Sequence, residues 1–121
     1  MKHILLVEDN IPFAGHFARL LEALPGLEIE VVSVGSLGEA RERLAQGGID
    51  AAVVDLGLPD GEGVSLIREM SAFVPRVPSL GVTAELIEEG RLAQVSAAGA
   101  VGLVDKLGSL EVIAEAIKRL L

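Results

Sequence analysis

The apolar positions of this 121-residue chain switch repeatedly between two periods. Ile4-Leu5-Leu6-Val7 is an unbroken apolar run, which predicts a strand buried on both faces. Phe13, Phe17, Leu20, Leu21 and Leu24 then recur at helical spacing until Pro25-Gly26 stops the segment. Asn10 stands where an N-cap is needed, and Pro12 falls in the first turn, where proline is tolerated. A second strand is predicted over 28–34. Ser36-Leu37-Gly38-Glu39 after it fits a capping box, opening a helix whose buried face is Leu37, Ala40 and Leu44 and which Gly47-Gly48 ends.

The third strand, over 51–56, is solidly apolar except for Asp55, and Leu58-Pro59-Asp60-Gly61 reads as a turn. Val64, Ile67 and Met70 give a third helical face that closes near Val74-Pro75. A short strand over 80–82 follows Pro78. A helix is predicted over much of 85–97, with Gly99 as its stop. A fifth strand covers 101–104, and Ser109 caps a last helix with Ile113, Ala116, Ile117 and Leu120 on one face.

Alternating strands and helices, five of each with short connections, call for an α/β fold. Right-handed crossovers then place a single five-stranded parallel sheet between helices on both faces. No linker, repeat or low-complexity tract interrupts the pattern, so residues 1–121 are expected to form one domain. Hydrophobicity alone leaves the strand order open.

Composition narrows the function classes. The 10 Lys and Arg against 18 Asp and Glu give a formal charge of -8, a surface that repels phosphate backbones and disfavours direct nucleic-acid binding. With no cysteine, disulfides, thiolate metal sites and a cysteine nucleophile are excluded, and two histidines make a zinc centre a poor fit. The apolar runs are too short to span a bilayer, and the start of the chain lacks the layout of a signal peptide. A soluble, cytoplasmic domain is the expectation.

In open α/β sheets, ligands sit outside the carboxyl ends of the strands. Glu8 and Asp9 follow the first strand, Asp55 ends the third, Thr83 closes the fourth, and Lys106 lies just beyond the fifth. Three carboxylates brought to one edge repel one another unless a cation offsets them. Mg²⁺ suits such a site, because it uses one or two carboxylates and keeps positions for water or phosphate oxygens. Lys106 and Thr83 are suited to holding phosphoryl oxygens, and a carboxylate beside Mg²⁺ and an ammonium can become a nucleophile towards phosphorus. Singly, each residue has a plainer reading: helix-start charge for Glu8 and Asp9, a strand-end hydroxyl for Thr83, a solvated lysine for Lys106. Asp55 is harder to set aside, since an unpartnered carboxylate closing an apolar strand is costly.

Four segments together give the chain a resemblance to the receiver domain of bacterial two-component response regulators, the CheY-like superfamily. They are Leu6-Val7-Glu8-Asp9-Asn10, the block from Val54-Asp55 through Pro59 to Gly63, Val82-Thr83-Ala84, and Ala98-Gly99-Ala100-Val101-Gly102 leading to Lys106. The resemblance runs from Ile4 to the final helix and implies the flavodoxin-like strand order 2-1-3-4-5. It implies further that Asp55 accepts a phosphoryl group from a sensor histidine kinase or phosphotransfer protein. Asp9, Asp55 and the Gly57 carbonyl would then ligate Mg²⁺, with Glu8 acting through coordinated water. Lys106 would bind the phosphoryl oxygens, and Thr83 would swing towards them. Such a protein is a switch and not a turnover enzyme. Gly57 and Glu85 fall where this family tunes the lifetime of the phosphorylated form, and glycine at 57 leaves room for an attacking water.

Two departures bear on output. Leu103 stands where the family often has an aromatic residue, and Lys106-Leu107 replaces a frequent Lys-Pro. A cis bond before Leu costs ~2.5–4 kcal/mol, so a trans bond is expected. The partner surface implied is the fourth helix, fifth strand and fifth helix, drawing on Arg91, Gln94, Glu111, Glu115, Lys118 and Arg119. It would serve an effector protein, a tethered output domain or a homodimer, although such mixed charge is equally an ordinary solvated face. His16, Arg19 and Glu22 on the first helix are candidate kinase contacts. Two other classes compete: a pseudo-receiver working as a constitutive interaction module, and a flavodoxin-like or nucleotide-binding enzyme. The second lacks both phosphate-binding glycine motifs, and three phenylalanines leave little to stack a flavin.

Overall fold

Ile4 and Leu6 project to one side of the first strand, Leu5 and Val7 to the other, and all four are fully buried. Such a strand needs helices on both faces of its sheet, and the structure, a computed structural model, supplies them. It describes residues 1–121 apart from the side chain of Leu110. In chain order the elements are β1 (Lys2–Val7), α1 (Ile11–Glu22), β2 (Ile29–Val34), α2 (Leu37–Ala45), β3 (Ala51–Asp55), β4 (Gly57–Leu58), β5 (Gly61–Glu62), α3 (Gly63–Ser71), β6 (Ser79–Thr83), α4 (Glu89–Ala98), β7 (Leu103–Asp105) and α5 (Leu110–Leu120).

The main sheet is five-stranded and parallel in the order β2-β1-β3-β6-β7, the flavodoxin-like arrangement. On one face α1 and α5 bury Ala14, Phe17, Leu21, Ile113, Ala116 and Ile117 against Ile4, Leu6, Val53 and Val82. On the other, α2, α3 and α4 bury Leu37, Leu44, Ile67, Met70 and Val95 against Leu5, Val7, Ala52 and Val54. The last helix presents the face that its spacing predicts, Ile113, Ala116, Ile117 and Leu120.

The predicted caps form. The Asn10 side chain accepts from the Phe13 N–H at 3.0 Å, Ser36 Oγ from Glu39 N–H at 3.2 Å, and Ser109 Oγ from Val112 N–H at 3.3 Å. Glu39 reaches back one residue further than a reciprocal box would, to the Gly35 N–H at 3.3 Å. The α2 terminus also has a cap from far along the chain: Asp60 accepts from the Leu37 and Gly38 N–H groups at 2.8 and 3.0 Å. Gly99, with φ 112°, closes α4 in the left-handed conformation.

Strand ends shift by a residue, with β2 at Ile29–Val34, β3 at Ala51–Asp55 and β6 at Ser79–Thr83, and three larger differences have a physical reason. The segment Leu58-Pro59-Asp60-Gly61 is not a bare turn: its flanks pair as the short antiparallel β4–β5 ribbon. α4 begins at Glu89 and not near 85. Only Val95 and Ala98 of that helix are buried, so little apolar periodicity fixes its start, and the Glu85 N–H is already engaged by Thr83 Oγ1 at 3.1 Å. The last strand covers Leu103–Asp105 instead of 101–104. Val101 bonds to Ser79 through its backbone, yet its side chain stays exposed.

Gly63 fixes the distance between α3 and the end of β3. A Cβ there would run into the Asp55 carbonyl oxygen and lie 2.8 Å from Val54 Cγ1. Gly63→Ala therefore must displace α3 or the strand end, and should lower unfolding stability by about 1–3 kcal/mol in urea denaturation. Gly57→Ala, where a Cβ meets no atom within 4 Å, should change it far less.

Candidate functional site

Four parallel strands deliver the polar residues to the carboxyl edge of the sheet. Glu8 and Asp9 follow β1, Asp55 is the last residue of β3, Thr83 the last of β6, and Lys106 the first after β7. Backbone bonds continue past the strand ends and set the register there: Leu56 N–H donates to Val82 O at 3.0 Å, and Lys106 N–H to Thr83 O at 2.8 Å. Glu8, Asp55 and Thr83 are buried, Lys106 is largely covered, and Asp9 is exposed.

Glu8, Asp9 and Asp55 each bring one carboxylate oxygen to a common point, all within 4.8 Å of one another. Among the described residues they form the one such group of metal-ligating side chains. At that separation two unit charges repel by on the order of 3–4 kcal/mol at surface-like screening. Lys106 offsets part of this. Its ammonium pairs with Glu8 Oε1 and lies 3.4 Å from Asp55 Oδ2. Apart from that ammonium the buried Glu8 carboxylate has no partner, so its donor set has room for a cation or water. The oxygen-only donors and their spacing fit a hard divalent ion.

Burial and the neighbouring Asp55 carboxylate push the Glu8 carboxyl up to about 7, against the pull of Lys106. Burial alone would lower the Lys106 ammonium; Glu8 and Asp55 together outweigh it and hold the ammonium above its ordinary value. Asp55 Oδ1 accepts the Gly57 N–H at 3.1 Å, which orients the carboxylate. Thr83 Oγ1 is tied by the Glu85 N–H to the loop that leads into α4.

All six residues singled out from the sequence, Glu8, Asp9, Asp55, Gly57, Thr83 and Lys106, thus lie at this one edge. The Lys106–Leu107 peptide is trans. Leu103, in place of an aromatic residue, is half-buried and packs against the α2-α3-α4 side of the core. Other features escaped the sequence reading. Asp60 was legible only as a turn residue, although it locks the β3–α3 connection onto α2. Phe13, which the sequence marks only by its helical spacing, lies under Lys106, whose Nζ is 4.6 Å from the ring centroid.

The face formed by α4, β7 and α5 also differs from a purely mixed-charge one. Arg91 bonds Gln94 at 2.7 Å and Lys118 meets Glu115 at 3.4 Å, while Leu92, Val101 and Val112 are exposed beside a cavity of about 230 Å³. Its centre is apolar and its rim charged. On α1, His16, Arg19 and Glu22 are exposed, and Glu22 also accepts from the Val31 N–H at 3.1 Å.

A model of the response regulator receiver domain family matches residues 4–118. The chain belongs to that family. The DNA-binding transcriptional activator DevR/DosR of Mycobacterium tuberculosis is 31% identical over 118 residues, which cover 98% of this receiver and 54% of that protein. The swarming motility regulation protein RssB of Serratia marcescens is 34% identical over 82 residues, 68% of this receiver and 36% of that protein. The receiver therefore spans about half, or less, of the length of these curated relatives. A response regulator from Burkholderia pseudomallei, solved with a phosphorylated aspartic acid, a calcium ion and citrate, superposes with a TM-score of 0.82 at 28% identity, over 96% of this receiver and 66% of that chain. The signal receiver domain of a DNA-binding response regulator from Colwellia psychrerythraea 34H reaches a TM-score of 0.88 at 20% identity, over 99% and 98% of the two chains, a likeness of fold alone. Receivers are signalling switches and not classical turnover enzymes. Among the described residues no helix is long and apolar enough to cross a membrane.

The raised Glu8 pKa carries a sign for stability. Between about 4.5 and about 7 the folded protein holds a proton that the unfolded chain has lost. Its contribution is complete below the ordinary value and disappears as pH rises through the folded one. In the absence of divalent ions, wild-type stability relative to Glu8→Gln should fall by on the order of 1–3 kcal/mol from pH 4.5 to 8. Urea titrations of the two proteins at several pH values measure the difference.

Proposed function

We propose that this receiver is the phosphoacceptor switch of a two-component system, with Asp55 as the acceptor. The observation that carries the reading is the convergence of Glu8, Asp9 and Asp55 with the Lys106 ammonium at the edge of a receiver fold. An Asp55 oxygen attacks the phosphorus of a phosphohistidine on a sensor histidine kinase or phosphotransfer protein. The O–P bond forms as the P–N bond breaks, and the imidazole leaves with the electron pair. Chemistry of this kind asks the protein mainly for positioning and charge stabilisation.

Asp9, Asp55 and the Gly57 carbonyl would hold Mg²⁺, with Glu8 contributing through coordinated water. When bound, the ion neutralises carboxylate and phosphoryl oxygens that otherwise repel. Lys106, already paired with Glu8 and 3.4 Å from Asp55, exchanges Glu8 for a phosphoryl oxygen. The Thr83 hydroxyl donates to another and, bonded to the Glu85 N–H, draws the loop before α4 with it. Open space beside Gly57 leaves a water route to the acyl phosphate.

With Leu103 held by packing, the read-out runs through that loop to the α4-β7-α5 face and its apolar centre, Leu92, Val101 and Val112. There a downstream effector, a tethered output domain or a second copy of the receiver would dock. The DNA-binding relative, of whose length this receiver covers 54%, supports a tethered output. Residues 1–121 would form one receiver domain working in the cytoplasm.

Intact-mass spectrometry after incubation with Mg²⁺ and acetyl phosphate tests the reading. Wild type should gain one phosphoryl group, and Asp55→Asn and an EDTA-treated sample none. Labelling of Asp55→Asn like wild type, or a wild type that takes no adduct, would refute it. Lys106→Ala should bind Mg²⁺ but accumulate the adduct at least about tenfold more slowly, since an ammonium on phosphoryl oxygens is lost; an unchanged rate would remove Lys106 from the mechanism.

A further inference from the structure

We infer that Phe13 is a positioning residue for phosphoryl transfer to Asp55, its ring being the surface on which the Lys106 ammonium rests. The inference builds on Asp55 as the acceptor. Lysine is a compact charge on a flexible four-carbon stem, and two carboxylates that both attract it do not define a single position. The Phe13 ring supplies a third contact, with Nζ 4.6 Å from its centroid, within cation–π range.

The ring is itself held. The Phe13 N–H is capped by Asn10 at 3.0 Å, and the ring stacks on buried Phe17 with centroids 5.6 Å apart and planes inclined by 23°. Of the three aromatic residues in the chain, two therefore form a stack whose outer ring faces the ammonium. An aromatic face attracts the cation without offering a lone pair, so it does not compete with incoming phosphoryl oxygens as a third carboxylate would. When Lys106 leaves Glu8 for the phosphoryl group, the ring is the contact that need not change. A rigid surface of this kind places the charge before the transition state instead of during it.

Three variants of the whole chain, Phe13→Leu, Phe13→Met and Phe13→Trp, test the inference through the rate of phosphoryl-adduct formation with acetyl phosphate and the affinity for Mg²⁺ alone. Leu and Met keep an apolar side chain but remove the ring, and should slow phosphorylation by about three- to tenfold with Mg²⁺ affinity unchanged. Met, closer in flexibility to a gap-filler, decides the matter should the Leu variant fail to fold. Trp restores the ring, should return the rate to within about twofold of wild type, and becomes the one tryptophan of the chain. Its emission should shift when beryllofluoride and Mg²⁺ are added, because the cation above it changes partners. Wild-type rates in Leu and Met, or equal slowing in all three variants, overturn the inference and leave Asp55 as acceptor intact. A wild type that takes no phosphoryl group overturns the acceptor reading, and this inference with it.

Discussion

At the carboxyl edge of the sheet, oxygens of three carboxylates lie within 4.8 Å of one another and are set against one ammonium. Such a cluster does not form by default, since each like-charge contact opposes folding. The sheet imposes it. Parallel strands buried on both faces leave the chain little freedom at their ends, and backbone bonds past β3 and β7 carry the register to Asp55 and Lys106. The cost is met locally, by a raised Glu8 carboxyl and a Lys106 held firmly as a cation. A site balanced in this way would respond to a change of charge such as phosphorylation or a divalent ion would supply.

The surroundings divide into parts that hold and parts that yield. Asp60 ties the β3–α3 connection to the α2 terminus, Gly63 brings α3 against the Asp55 carbonyl, and the Phe13–Phe17 stack lies under Lys106. On the other side, α4 buries only Val95 and Ala98, and the segment before it is mostly exposed. Elements with few buried contacts open most readily, so the loop tied to Thr83 is where a shift at the site would be transmitted at least cost. Leu103 fits this division. Packed against the α2-α3-α4 core in place of an aromatic residue, it would, in the proposed switch, direct the change through backbone rather than through a side-chain flip.

Much of this was legible in the residues themselves. Runs such as Ile4 to Val7 and Ala51 to Val54 carry doubly buried strands openly, and the caps at Asn10, Ser36 and Ser109 mark helix starts because their chemistry is local. The strand order came from the family resemblance, since apolar runs do not say which strand neighbours which. What stayed hidden was long-range or weakly patterned. Asp60 caps a helix 22 and 23 residues earlier in the chain, and no local motif announces that. Phe13 sits at core spacing and also touches a cation supplied by β7. Apolar spacing does not fix the start of α4, because that helix buries only Val95 and Ala98. The apolar centre of the α4-β7-α5 face is assembled from α4, the segment before β7 and α5, so local spacing displays only its charged rim.

Amide NMR shows whether the charged edge is a divalent-ion site coupled to the loop before α4. Mg²⁺ added to the protein should shift the amides of Glu8 to Asn10 and Asp55 to Gly57 first. Beryllofluoride added next should shift Thr83 to Leu86 and Lys106, and extend into α4. Spectra unchanged by millimolar Mg²⁺ would mean that the edge is no divalent-ion site, and a beryllofluoride response confined to Asp55 with no change at Thr83 would mean that it is not coupled to the loop.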